Sequence, residues 1–359
     1  MRVAIVDEGI DRQALLYPER IRKTLILHEG TTVHDIPEGE HGTACARLLE
    51  QCTDNYELFD VRITESWNAP IPVNDLKRAL ECCIREKINI ICLSLGTICL
   101  SEASVLTPVM QEIKEKKIRV VASLSNEGKL TLPGAYPEVF CAAMDWQDCL
   151  KPGECRITYH NILKRIYVAN IKIGANKLGD WRGNSYAVPV IAGELINWAK
   201  AHGWDTTDKW LENQIVSFSD FKRITWGKPS ENPVVAIYGS QKYFPPEALL
   251  SIFSKEFRLE AAALVEEDSG NHFQILNKNS YGTRRQELLA DMDSYLGVFL
   301  LLSFYEEENI EQKENFYDVE VFCKERDIEF YGDGRFICAV PISSDIKSDI
   351  CKTLIQILS

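Results

Sequence analysis

The segment Ile88–Leu95 is apolar at almost every position. A strand of that kind is stable only where both of its faces are covered, which is the situation inside a parallel sheet with helices on each side. Its neighbours supply the cover. Val73–Glu86 reads as an amphipathic helix, with Leu76, Ala79, Leu80 and Cys83 on one face. Val105–Lys116 reads as a second helix. Short apolar strands are expected at Val3–Val6, Leu58–Ile63, Arg119–Leu124 and Val139–Ala143, and helices at Gly42–Gln51 and Ser185–His202. Strands alternating with helices define βαβ units, hence an α/β fold with a doubly wound, mostly parallel sheet.

That pattern breaks after Gly203. Trp204–Asp208 and Gly227–Pro233 are rich in turn residues. The expected organisation is a first domain over 1–205, a linker over 206–232 and a smaller Rossmann-like α/β domain over 233–359. In the second domain strands are expected at Val234–Tyr238, Leu259–Val265, Gly297–Ser303 and Phe336–Ala339, with helices at Pro245–Phe257, Phe316–Arg326 and Ser348–Leu358. Its first strand, turn and helix are similar to a nucleotide-binding P-loop. Yet Gln241-Lys242-Tyr243-Phe244-Pro245-Pro246 stands where Gly-Lys-Ser/Thr is required, so backbone amides cannot cradle a phosphate there. A degenerate P-loop-like module serving substrate recruitment or dimerisation is the expectation.

Composition removes several function classes. The net charge of −13 argues against nucleic acid, whose binding needs a basic surface. No apolar run is long enough to span a membrane, and Val3–Val6 is too short for the core of a secretory signal. Twelve cysteines include the adjacent pair Cys82-Cys83, which suits reduced thiols in the cytoplasm better than a disulfide framework. No Cys-x-x-Cys pair occurs and the six histidines are scattered, so neither a metal nor another cofactor is expected.

Four short segments carry the chemistry. Asp7-Glu8-Gly9 closes the first strand, His41-Gly42-Thr43 opens a helix, Ser125-Asn126-Glu127-Gly128 follows a strand, and Gly183–Pro189 opens the long apolar helix. Singly, each has a plain structural reading: a turn or cap for Asp7, an N-cap for Ser185 and a turn residue for Asn126. Jointly they make an acid, a base, a hydroxyl and an amide placed where a doubly wound sheet gathers functional groups. Ser185 is a weak nucleophile that needs a base. His41 can take and return a proton near neutrality. Asp7 would fix the imidazole tautomer and stabilise the imidazolium. Asn126 would donate to an oxyanion.

In this order the segments resemble the subtilase family of serine peptidases. His-Gly-Thr is met in full. The family's Gly-Thr-Ser-x-Ala-x-Pro followed by Ala-Gly is met by Gly183, Ser185, Ala187, Pro189, Ala192 and Gly193, with Asn184 in place of Thr. Its Asp-Ser/Thr-Gly becomes Asp7-Glu8-Gly9, and its Gly-Asn-x-Gly becomes Ser125-Asn126-Glu127-Gly128. Ser94-Leu95-Gly96 is similar to the strand that lines the family's substrate cleft. The similarity covers roughly residues 1–200. It implies a subtilisin-like sheet, an Asp-His-Ser triad and cleavage of a peptide or flexible protein segment through an acyl-enzyme.

The resemblance further implies a compact cytoplasmic form that folds without a propeptide and without calcium, suited to selective processing such as leader-peptide removal. The alternative is a non-catalytic scaffold of the same fold that binds peptides in the old cleft. A homo-oligomer is compatible with either. Cys45 resembles the cysteine beneath the active-site His of thiol-sensitive subtilases; its other reading is a small buried apolar residue. Trp181 and Tyr186 flank Ser185 and either line pockets or pack.

Overall fold

The structure, a computed structural model, describes residues 1–27, 40–64, 70–173, 182–221, 231–239, 243–266, 273–305 and 316–359. It divides into two compact units, one formed by Met1–Ile98 with Glu102–Trp226 and the other by Gly227–Ser359 with Cys99–Ser101.

The first unit is built on strands β1 (Arg2–Asp7), β2 (Ile21–Ile26), β3 (Glu57–Arg62), β4 (Ile90–Leu93), β5 (Arg119–Ser123), β6 (Phe140–Met144), β7 (Cys155–His160) and β8 (Lys164–Ala169). They lie in the order β2-β3-β1-β4-β5-β6-β8-β7, and every neighbouring pair is parallel except β7 with β8. The central strands are buried on both faces, as the apolar run predicts; Val3, Ala4, Ile5 and Val6 are all 0% exposed. Helices α1 (Glu40–Cys52), α2 (Val73–Arg85), α3 (Ala103–Glu115) and α4 (Ala187–His202) connect and cover the sheet. α1 packs on α4, and their apolar residues share one core with the inward side chains Val3, Ile5, Cys92 and Val121. The doubly wound α/β expectation therefore holds. Strand order reverses between β1 and β4, and the carboxyl end of that junction is where such sheets open a crevice.

Several local expectations change. β2, β7 and β8 are additional strands, and Ser185 sits in a 3₁₀ turn (Asn184–Tyr186) ahead of α4 rather than inside it. Residues 206–221, expected in a linker, belong to the first unit: Trp210 and Leu211 are buried in its core and Ile215 bridges to Ile157.

The second unit holds β9 (Val234–Tyr238), β10 (Ala261–Val265), β11 (Ile275–Asn277), β12 (Leu300–Tyr305), β13 (Val319–Cys323), β14 (Asp327–Gly332) and β15 (Arg335–Pro341), in the order β11-β10-β12-β9-β13-β14-β15. The first five in that order are mutually parallel, and β14 and β15 add an antiparallel hairpin. Helices α5 (Pro246–Phe257), α6 (Arg285–Tyr295) and α7 (Ile346–Leu358) complete it. The stretch Phe316–Arg326, expected as a helix, contains strand β13. Val319, Val321 and Cys323 point into the core on a two-residue period, and pairing with β9 and β14 overrides the local helical signal. Ser240, Gln241 and Lys242 of the P-loop-like turn lie outside the described residues, as does Trp181. Among the described residues no helix is long and apolar enough to cross a membrane.

Candidate active site

β1 ends at the reversal of strand order, and its last residue, Asp7, is 5% exposed there. α1 begins beside it. The close fit depends on Gly42: a Cβ at that position would lie 2.3 Å from the Gly9 carbonyl oxygen and 3.2 Å from Asp7 Cβ. Only glycine lets the first turn of α1 press against the end of β1, and this contact delivers His41 to Asp7. Thr43 secures the same junction, since its hydroxyl accepts from the Asp11 backbone N–H at 2.7 Å. The His-Gly-Thr segment is thus one imidazole and two residues that seat it.

His41 Nδ1 lies 2.8 Å from Asp7 Oδ2, and Nε2 lies 3.0 Å from Ser185 Oγ. The second Asp7 oxygen accepts the Glu8 backbone N–H at 2.9 Å. Imidazole between carboxylate and hydroxyl has the donor and acceptor order that general-base catalysis requires. Burial alone pushes the His41 pKa down. The hydrogen bond and charge of Asp7, aided by the charge of Glu8, outweigh burial and hold it above its ordinary value of 6.5. Tyr186 packs its ring on the imidazole, with centroids 5.0 Å apart. It is a packing residue of this site.

Asn126 occupies the turn after β5, closed by the Gly128 N–H on the Ser125 carbonyl at 3.0 Å. Its Oδ1 accepts the Asn184 backbone N–H at 2.8 Å. That bond commits the oxygen and leaves the amide Nδ2 as the free end for a ligand. A Cβ on Gly183 would fall 3.4 Å from Ser185 Oγ and 3.5 Å from Asn126 Nδ2. Gly183 thus lies beside both the nucleophile and the Asn126 amide, whose Oδ1 is the nearest atom to that Cβ at 3.3 Å.

Asn184 is the residue whose role the sequence leaves unread. It is 2% exposed and bonded on every side. Its Nδ2 donates to the Ser125 carbonyl at 2.7 Å, while its Oδ1 accepts from Met144 N at 3.0 Å and from Trp146 Nε1 at 3.1 Å. It pins the nucleophile turn to the Asn126 turn and to the end of β6. The only sequence signal for this was its departure from the family's Thr.

Asp7, His41, Asn126, Ser185 and the segment Ser94, Leu95 and Gly96 all line one cleft of about 400 Å³. Every predicted site residue is therefore brought together. Ser94 donates to the Ser185 carbonyl at 3.3 Å. Among the described residues Leu95 and Gly96, just beyond β4, have no backbone hydrogen-bond partner, so their amides and carbonyls are available to an extended chain. The cleft continues along Pro70, Ile71, Val73, Leu76 and Ile98, an apolar wall that the sequence did not assign to the site. Apart from Asp7 and His41, no lining residue among those described is charged.

Cys45 lies behind this surface, 0% exposed, with its Sγ 3.3 Å from Ser94 Oγ. Asp7, His41 and Cys45 place donor atoms within 4.8 Å of one another. The Asp7–His41 hydrogen bond occupies the facing atoms, and burial pushes the thiol pKa well above its ordinary value, keeping it protonated.

No protein-family model and no curated protein matches the chain. Among solved structures it is similar to the prenylagaramide maturation protease PagA, at 17% identity and a TM-score of 0.39 over 58% of this chain and 80% of that one. The self-cleaved protease domain of PatA matches at 19% identity and a TM-score of 0.40, over 58% of this chain and 86% of that one. The epidermin leader peptide processing serine protease EpiP from Staphylococcus aureus matches at 16% identity and a TM-score of 0.41, over 59% of this chain and 68% of that one. Likenesses at this level assign no activity; the geometry above carries the functional reading.

Proposed function

We propose that the chain is a serine endopeptidase of the subtilisin-like class. The observation that carries this is the continuous contact from Asp7 Oδ2 through the His41 imidazole to Ser185 Oγ, at 2.8 and 3.0 Å. A substrate strand lies along Leu95–Gly96 and presents its carbonyl to Ser185. His41 Nε2 takes the hydroxyl proton as Oγ attacks, and Asp7 holds the imidazolium. The tetrahedral oxyanion is stabilised by Asn126 Nδ2. His41 then protonates the leaving amine, and water repeats the sequence on the acyl-enzyme with the roles reversed.

Beyond Asp7 and His41 the described lining residues are uncharged, which supports side chains without charge next to the cleaved bond. The unpaired backbone of Leu95 and Gly96 supports an extended, flexible substrate. Selective processing, for which leader-peptide removal is the model, fits a compact peptidase with an appended α/β unit that recruits its substrate. Twelve free thiols support a reducing cytoplasm. The test is cleavage of a library of unstructured peptides analysed by mass spectrometry, comparing the chain with Ser185→Ala. Cuts that cluster after uncharged residues and vanish in the variant are expected. A library left uncut by a folded chain, or cut equally by the variant, contradicts the reading and favours the peptide-binding scaffold.

A further inference from the structure

Glu8 is the one departure from the family pattern that puts a charge inside the site. It follows Asp7 directly, is 4% exposed, and its Oε1 accepts the backbone N–H of His41 at 2.8 Å. That N–H belongs to the first turn of α1, where helical amides have no partner within the helix. The backbone N–H of Glu8 in turn donates to Asp7 Oδ1 at 2.9 Å. Two consecutive carboxylates thus grip one residue: Asp7 holds the His41 ring and Glu8 holds its backbone. The three bonds close a ring, so the imidazole cannot shift on Asp7 without breaking one of them.

We propose that Glu8 is a positioning residue for His41: its carboxylate anchors the first turn of α1 and adds a second negative charge beside the imidazolium formed when His41 takes the Ser185 proton. This rests on the triad reading above. A buried carboxylate next to another is costly unless paired. Here the amide at a helix N-terminus and the imidazolium supply the compensation. Among the described residues, the other titratable groups beside the ring add no charge to it from within. On α1, Cys45 is held as a neutral thiol by burial; on the nucleophile turn, Tyr186 has its pKa pushed up by burial to about 12. Glu40 precedes His41 in the chain and lies exposed. Among the described residues Asp7 and Glu8 are the charges that act on the imidazole.

Two variants separate anchoring from charge. Glu8→Gln keeps an oxygen for the His41 N–H and removes the charge, whereas Glu8→Ala removes both. The readout is the rate of labelling by a fluorophosphonate probe across pH. For Glu8→Gln the alkaline plateau should stay within about threefold of the parent, while the acid limb moves down by about half a unit or more. For Glu8→Ala the plateau should fall about tenfold or more. Superimposable profiles for the parent and Glu8→Gln would overturn the proposal. So would an unchanged plateau in Glu8→Ala. If Glu8→Ala does not fold, Glu8→Gln decides. The His41 imidazole resonance, titrated by NMR in the parent and in Glu8→Gln, gives a second reading that needs no activity. A lower midpoint in the variant is expected, and an equal midpoint overturns the claim. A parent that takes no label defeats the triad reading, and the NMR comparison still decides the role of Glu8.

Discussion

At the scale of single residues the site was largely legible, because its chemistry admits few residue types. Asp7, His41, Ser185 and Asn126 could be picked out from their places at strand and helix ends, and they meet in one cleft. Asn184 was not legible, because its work is done by four hydrogen bonds to partners distant in sequence. Two outcomes follow at this scale. Asn126→Ala should lower kcat by on the order of 10²–10³ with KM nearly unchanged, since the amide acts on charge that develops only in the transition state. Steady-state kinetics on a cleaved peptide checks this, and an unchanged kcat with chemistry rate-limiting removes Asn126 from the mechanism. The second outcome concerns pH. Only neutral imidazole can take the Ser185 proton, and the His41 pKa is raised above 6.5. Activity should therefore disappear as pH falls through a midpoint above 6.5. Stability runs the other way: the His41–Asp7 contribution is complete below the ordinary value and is lost as pH rises through the raised one. A pH–rate profile with its acid midpoint below 6.5 contradicts the electrostatics described here.

Elements show where sequence patterning succeeds and where it stops. Strands buried on both faces, such as β1 and β4, were legible because an apolar run has few other fates. β13 was not, because alternation over a few residues is weak and pairing with β9 and β14 decides the outcome. The hairpin beyond it did carry a local signal. Asp333 and Gly334 have φ of +50° and +70° and link Gly332 to Arg335, which is the Asp-Gly pattern of a two-residue hairpin loop. The α1–α4 contact was visible only as motif residues without a reason. The structure gives the reason: a Cβ on Gly193 would lie 2.3 Å from Cys52 Cβ. Gly193→Ala should therefore force the two helices apart, lowering stability by about 1–3 kcal/mol. It should also slow labelling of Ser185, because α1 carries His41 and α4 follows the nucleophile. Urea unfolding checks the first effect, and an unchanged midpoint contradicts the packing.

At the scale of the whole molecule, the described residues form two α/β units, and the candidate site is assembled in the first. The first unit holds every residue of the proposed mechanism, and the second begins with a P-loop-like sequence that lacks the Gly-Lys-Ser/Thr motif. Calorimetry with ATP or GTP and magnesium should show no binding, and micromolar affinity would assign the second unit a different role. The most direct test of the central claim is covalent labelling of the intact chain by a fluorophosphonate, with the modified residue mapped by mass spectrometry. Only a serine activated by a base reacts quickly with such a probe. The label should fall on Ser185 and be abolished by His41→Ala. Labelling at another residue, or none in a folded sample, would contradict the assignment of Asp7, His41 and Ser185 as a working triad.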